Sequence, residues 1–182
     1  MRCYNTTNGI RELIRFFNKH NINYALIGGS ALHYYNESRV TQDFDFVVTV
    51  DAYDISNLVD AINMDLCSTV CNPHHSIVTI QLFGFNIDII PYFTNEEQRA
   101  LRNAKLRNYW HTRCRIARIE DILLLKLGIS DSEERHLKDV EFVCRDCKEF
   151  IDTKYLKEGI IALNMQRYVP YLNNLLGSNI II

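Results

Sequence analysis

Ile27-Gly28-Gly29-Ser30, followed after a short gap by Arg39-Val40-Thr41-Gln42-Asp43-Phe44-Asp45-Phe46-Val47-Val48, is the stretch on which the reading of this chain turns. The first element ends a short apolar run, Tyr24 to Ile27, that reads as a strand entering two glycines and then a short helix, Ser30 to Tyr35. Glycine lets backbone N–H groups approach a ligand closely, and a helix N-terminus favours anions. The second element alternates in strand fashion, with carboxylates at positions i and i+2. Side chains two apart on a strand leave the same face, their Cα atoms roughly 6.5 to 7 Å apart. Phe44, between them, points the other way into a core.

Two carboxylates on one edge repel each other unless a cation stands between them. Mg²⁺ prefers such oxygens together with phosphate oxygens. A third acid occurs in Phe85-Asn86-Ile87-Asp88-Ile89-Ile90. A lone charge within an apolar strand is costly if buried and unpaired. Asp88 is therefore expected to face the Asp43/Asp45 edge from a neighbouring strand. Three carboxylates of this kind suit two metal ions in phosphoryl transfer, with Asp88 as the base for an attacking hydroxyl. Taken singly these features are ordinary: paired glycines occur in many turns, and an Asp-x-Asp strand is often a solvated edge. Together, with thirteen residues between Gly29 and Asp43, they are specific.

The rest of the chain supplies context. With 182 residues, 47% hydrophobic and 23% charged, it can bury one good core and is not a disordered polymer. No apolar run approaches the roughly 18 to 20 residues of a membrane span. No continuous apolar leader segment is visible near the start, so an intracellular, cytoplasmic protein without a membrane partner is expected. The six cysteines then read as reduced thiols. Cys144-Arg-Asp-Cys147 lies within a helical run, and Cys67/Cys71 with His74/His75 is the other thiol cluster; buried structural cysteines are favoured over zinc in both.

Apolar spacing predicts a helix over 7–19 and strands over 44–50, 76–83 and 85–91, the last two as a hairpin about Gly84. Asp51 is expected to cap a helix reaching about Asn63, and Thr94 to cap an acidic-started helix through Lys105. A strand is expected within 109–117, then helices over 120–127, 133–147, 153–163 and 167–175. The fold class is α+β: a mixed sheet flanked by helices, residues 1–118, followed by a helical part, 119–182, that completes the site.

The pattern of hydrophobic-Gly-Gly, a gap of about a dozen residues and Asp-hydrophobic-Asp resembles the signature of polymerase-β-type nucleotidyltransferases. Within them, Leu26-Ile27-Gly28-Gly29-Ser30-Ala31-Leu32 and Arg39-Val40-Thr41-Gln42-Asp43-Phe44-Asp45 are similar to the small abortive-infection (AbiEii-like) group. Lys126 within Glu120–Lys126, and Lys138-Asp139 within Arg135–Val140, fit that group's two downstream motifs. The resemblance covers about residues 22 to 143. It implies that Gly28, Gly29 and Ser30 hold the terminal phosphates of a nucleoside triphosphate and that Asp43, Asp45 and Asp88 bind Mg²⁺. It also implies that Lys126 neutralises triphosphate charge, that Asp139 orients Lys126 or the nucleotide, and that Arg39, Thr41 and Lys138 belong to the nucleotide site. The expected activity is transfer of a nucleoside monophosphate to an acceptor hydroxyl on RNA, tRNA or protein, within a toxin–antitoxin pair. The alternative is a non-catalytic protein that binds a nucleotide or a partner with the same fold.

A formal charge of −2 argues against a nucleic-acid partner only on average. Residues 99–118 carry seven basic and no acidic residues, with Tyr109, Trp110 and His111 among them, so the remainder is at −9. Basic residues interleaved with aromatics can grip phosphates and stack on unpaired bases. Arg99, Arg102 and Lys105, at i, i+3 and i+6, are expected on one helical face that could contact RNA.

Overall fold

In a computed structural model of the chain, the described residues are 6–38, 41, 43–50, 54–66, 69–74, 77–82, 84–129 and 134–177. Their elements run α1 (Thr6–Lys19), β1 (Tyr24–Ile27), α2 (Gly28–Tyr35), β2 (Asp43–Val48), α3 (Ile55–Leu66), β3 (Thr69–His74), β4 (Ile77–Leu82), β5 (Phe85–Pro91), α4 (Asn95–Asn103), β6 (Lys105–Tyr109), β7 (Thr112–Ile116), α5 (Ile119–Ile129), α6 (Glu134–Asp146), α7 (Thr153–Ala162) and α8 (Val169–Leu176). The strands form one seven-stranded mixed sheet in the order β3-β4-β5-β2-β1-β7-β6. β2/β5 and β1/β7 are parallel and the other pairs antiparallel.

The centre of the sheet is apolar on the face away from its carboxylates. Phe44, Phe46, Ile87 and Ile89 point away from the carboxylates, and Ile10, Leu13, Ile14 and Phe17 of α1 are all buried in the same core. Phe17 packs on Tyr24 and Phe46 at ring separations of 5.1 and 5.7 Å. Positions 10, 13, 14 and 17 thus form the buried stripe of the helix expected over 7–19. α4 starts as its sequence dictates: Thr94 Oγ1 accepts the Glu97 N–H at 3.2 Å, and the Glu97 carboxylate accepts the Thr94 N–H at 3.0 Å. No helix among the described residues is long and apolar enough to cross a membrane.

Two strands differ from the sequence expectation. β3 was not predicted; it is an edge strand containing Pro73, and an edge is where a residue without an N–H is tolerated. The helix expected through Lys105 stops at Asn103, and Lys105–Tyr109 pairs with β7 as the other edge strand. The turn joining them is Trp110-His111, both at positive φ (47° and 58°). Two-residue hairpin turns of that geometry are signalled in sequence by Asn-Gly, so Trp-His concealed this one.

The basic segment 99–118 does not form one exposed face. Lys105 does not share a helix face with Arg99 and Arg102. Arg99 turns inward, its Nε 2.8 Å from Asp121 Oδ1. Arg115 donates to the carbonyls of Tyr24 and Leu101. Arg118 pairs with Glu120 at 3.2 Å. Arg99 and Arg118 flank the Tyr155 ring at 4.3 and 3.7 Å from its centroid, and the Tyr155 hydroxyl donates to Asp121. Glu120 also accepts the Asp152 N–H at 2.6 Å, just ahead of α7. Arg99 and Arg118 thus tie the first part of the chain to the C-terminal helices, Arg115 braces β7 against β1 and α4, and the buried core passes residue 118 without interruption. Arg102, Lys105, Arg107 and Arg113 remain exposed.

Cys144 and Cys147 are buried, and burial pushes their thiols up to about 12 and about 11, so both stay protonated and inert. Cys67 and His75, and the side chains of Cys71 and His74, lie outside the described residues.

Candidate active site

β1 and β2 run antiparallel with Ile27 opposite Asp45, which brings the Gly28-Gly29 turn beside the Asp-x-Asp strand. Gly28 has φ +66°, and a Cβ built on it would fall 1.8 Å from Asp45 Oδ2. Glycine is required there twice over, for the left-handed backbone and for the space that the carboxylate occupies. A Cβ on Gly29 would lie 3.1 Å from Thr41 Cβ, so Thr41 closes the same turn from the other side. Gly28→Ala is expected to displace Asp45 by about an ångström and to lower turnover on the order of a hundredfold. Steady-state kinetics set beside an unchanged circular-dichroism spectrum checks this.

β5 lies parallel to β2 in a register that places Asp88 directly beside Asp45 and Asn86 beside Asp43. The third acid therefore sits where the sequence expected it. The sequence did not reveal its neighbours. Thr79 on β4 donates its hydroxyl to Asp88 Oδ1 at 2.6 Å, and Asn86 Nδ2 donates to Asp43 Oδ1 at 3.4 Å. Burial raises the Asp45 carboxyl to about 6; the adjacent Asp88 and Asp43 push it the same way, while Lys126 and Arg135 oppose the rise.

Facing these strands are α5 and α6. Lys126 Nζ is 2.9 Å from Asp139 Oδ2 and 3.3 Å from His136 Nδ1, its side chain only 14% exposed. A cleft of about 740 Å³ lies between the two sides, lined by Gly28, Gly29, Thr41, the three aspartates, Lys126, Arg135, His136 and Asp139. Arg135 and His136 were not assigned to the site from sequence; their spacing from Asp139 on one helix is the signal that could have found them.

Two expected ligands stand elsewhere. Ser30 is fully buried, its hydroxyl donating to the Asp43 carbonyl, so its side chain braces α2 against β2 instead of lining the cleft. Lys138 is exposed on α6 and does not line the cleft. Arg39 lies outside the described residues. Behind the carboxylates, Tyr109 donates its hydroxyl to the Ser30 carbonyl at 2.9 Å, and Trp110 packs edge-on against Phe44 at 5.7 Å. The aromatic turn thus supports the Asp-x-Asp strand from its far face.

The donor set fits Mg²⁺. It consists of hard carboxylate oxygens, and Asp45, its carboxyl raised first by burial and then by Asp88, is a desolvated acid whose charge a bound cation would compensate. Among the described residues no three His, Cys, Asp or Glu form a closed ligand set.

No protein-family model matches the sequence, and no curated protein matches it significantly. Solved structures do. An antigenic nucleotidyltransferase-like protein from Paracoccidioides brasiliensis aligns at 22% identity over 92% of this chain and 89% of its own, with a TM-score of 0.55. The antibiotic-resistance factor ANT(2″)-Ia, in complex with adenylyl-2″-tobramycin, aligns at 15% identity over 87% of this chain and 96% of its own, TM-score 0.59. The lincosamide antibiotic adenylyltransferase LnuA, lincomycin-bound, aligns at 17% identity over 72% of this chain and 92% of its own, TM-score 0.50. At these identities the likeness establishes the architecture: this chain has the mixed α/β fold of the nucleotidyltransferases.

Proposed function

We propose that this protein transfers a nucleoside monophosphate from a nucleoside triphosphate to an acceptor hydroxyl. The observation that carries the reading is the convergence on one cleft of Asp43, Asp45 and Asp88, from two adjacent strands, with the Gly28-Gly29 turn and the cationic Lys126/Arg135 wall. The backbone amides of Gly28 and Gly29 and the Thr41 hydroxyl bind the β- and γ-phosphates, and Lys126 neutralises their charge as a point cation. Asp139 holds the Lys126 ammonium toward the cleft. Asp43, Asp45 and Asp88 are the residues that would hold Mg²⁺, which when bound withdraws charge from phosphate oxygens. Asp88, oriented by Thr79, takes the proton of the acceptor hydroxyl. The Asp45 carboxyl must be ionised to hold the ion, so Mg²⁺ affinity, read by titration of the free protein, is expected to rise as pH increases through about 6.

The motif residues Thr41, Lys126 and Asp139 support placement in the AbiEii-like group, and with it a role in a toxin–antitoxin pair. The expectation of an RNA acceptor now rests on the exposed Arg102 of α4, Lys105 and Arg107 of the edge strand β6, and Arg113 of β7. Incubation with each α-³²P-labelled NTP, Mg²⁺ and cell lysate tests the reading. Label transfer that disappears in Asp43→Asn and Asp45→Asn is expected. A folded wild type that neither transfers label nor binds nucleotide in a Mg²⁺-dependent way would overturn it, and binding without transfer would favour the non-catalytic alternative.

A further inference from the structure

We propose that the β4–β5 side of the cleft is an acceptor subsite for an apolar hydroxyl compound bearing an ammonium group, with Glu96 as the residue that holds the cation. The inference rests on the nucleotidyl-transfer reading and adds the chemical class of the acceptor. The two sides of the cleft differ in kind. Its Lys and Arg, among the described lining residues, are Lys126 and Arg135, both on the α5–α6 side. The other side begins at Asp88 and continues along the same sheet face to Ile90, two residues on, with Ile77 in the neighbouring position on β4. Phe93 completes it, and Ile129, one turn beyond Lys126 at the end of α5, closes the cleft beside it. Ile77, Phe93 and Ile129 are 39, 53 and 49% exposed, so this is an apolar surface left open to a ligand within a concave site.

One carboxylate stands over that surface. Glu96 lines the cleft from the first turn of α4, and no cation pairs with it among the described residues. Glu97, next to it, is engaged in the capping box, accepting the N–H groups of Phe93 and Thr94 at 2.7 and 3.0 Å. Glu96 reaches instead across to the end of α5, where a Cβ on Gly128 would lie 3.6 Å from its Oε1. A helix C-terminus is itself electronegative, so carboxylate and helix end act together to favour a cation.

A polyanion is disfavoured here: its phosphates would meet Asp88 and Glu96, with no Lys or Arg among the described lining residues of β4, β5 and α4. Lys105 and Arg107 cannot help, because β6 lies three strands from β2, about 14 Å at ordinary strand spacing, and neither Arg102 on α4 nor Arg113 on β7 lines the cleft. The step balances simply. The acceptor oxygen forms a bond to the α-phosphorus and the bond from that phosphorus to the bridging oxygen breaks. Pyrophosphate leaves, and the hydroxyl proton passes to Asp88.

Saturation-transfer NMR on the full chain with Mg²⁺ and a non-hydrolysable ATP analogue tests this with matched probes. Phenylalaninol and tyramine carry ring, hydroxyl and ammonium; 3-phenyllactate and 4-hydroxyphenylacetate replace the ammonium with a carboxylate. The cationic pair is expected to bind about tenfold more tightly, since one charge is attracted and the other repelled. Glu96→Gln should remove the preference and Glu96→Lys invert it, with the affinity for the ATP analogue unchanged in both. Equal binding of the two pairs beside normal nucleotide binding would overturn the subsite alone, as would label transfer to RNA that Glu96→Lys leaves undiminished. Absence of Mg²⁺-dependent nucleotide binding would instead overturn the underlying reading.

Discussion

Asp45→Asn is expected to abolish nucleotide transfer and, in metal-free buffer at neutral pH, to make the protein more stable. The carboxyl is held at about 6 against an ordinary 3.8, first by burial and then by Asp88 and Asp43. Between about pH 4 and pH 6 the unfolded chain has released this proton while the folded chain keeps it. Stability attributable to Asp45 therefore falls as pH rises through that window, and the full cost persists above it. Two pH units correspond to at most about 3 kcal/mol. The asparagine amide carries no charge and escapes the penalty. Thermal unfolding in chelator should show the variant melting above wild type at pH 7 and level with it at pH 4. Mg²⁺ with nucleotide should raise the melting temperature of wild type only. A variant that melts below wild type at pH 7 would contradict this electrostatic picture of the cleft.

Asp121→Ala is expected to produce the largest loss of stability. The side chain of Asp121 is fully buried and accepts from Arg99 and Tyr155. Burial raises its carboxyl to about 6, even though Arg99 and the Tyr155 hydrogen bond oppose the rise. Desolvation outweighs attraction, so the pair itself adds little net stability. Removing one partner is different. It leaves the Arg99 guanidinium without its ion partner beside Tyr155, at a cost of about 3 kcal/mol or more. For a chain of this length that is a fall in melting temperature of roughly 6 to 12 °C. Replacing Arg99 by Met together with Asp121 by Leu should recover most of it, because no buried charge then stands alone. The double variant distinguishes a structural ion pair from a nucleic-acid contact, which Arg99 resembled in the sequence.

The difference between what could and could not be read from the chain follows from distance. The Asp43/Asp45 pair, its orientation away from Phe44, and the glycine turn are local facts, fixed by the period of a strand and the missing Cβ of Gly28. Asp88 was legible because a lone acid among isoleucines needs an explanation wherever it lies. Thr79 and Asn86, which orient these acids, are ordinary strand residues whose role comes only from the register of β4, β5 and β2. Arg99 and Arg118 were misread because a run of basic residues carries no local sign of burial. Their partners Asp121 and Glu120 belong to a different helix, and Tyr155 to another again. Ser30 looked like a phosphate ligand by motif position, yet its hydroxyl is turned onto the Asp43 carbonyl. The β6–β7 hairpin was hidden by its turn residues, since Trp110 and His111 occupy positive φ, where Asn-Gly is the usual signal, in a turn whose Tyr109 and Trp110 are anchored on Ser30 and Phe44.

The most direct measurement needs no knowledge of the acceptor: calorimetric titration of the full chain with a non-hydrolysable NTP analogue, with and without Mg²⁺. The geometry predicts binding that requires the ion, weakens on the order of tenfold or more in Lys126→Ala through loss of one charge-assisted phosphate contact, and is lost in Asp45→Asn. Binding of equal strength in chelator and in Mg²⁺, or undiminished in both variants, would contradict the assignment of this cleft as a nucleotide site.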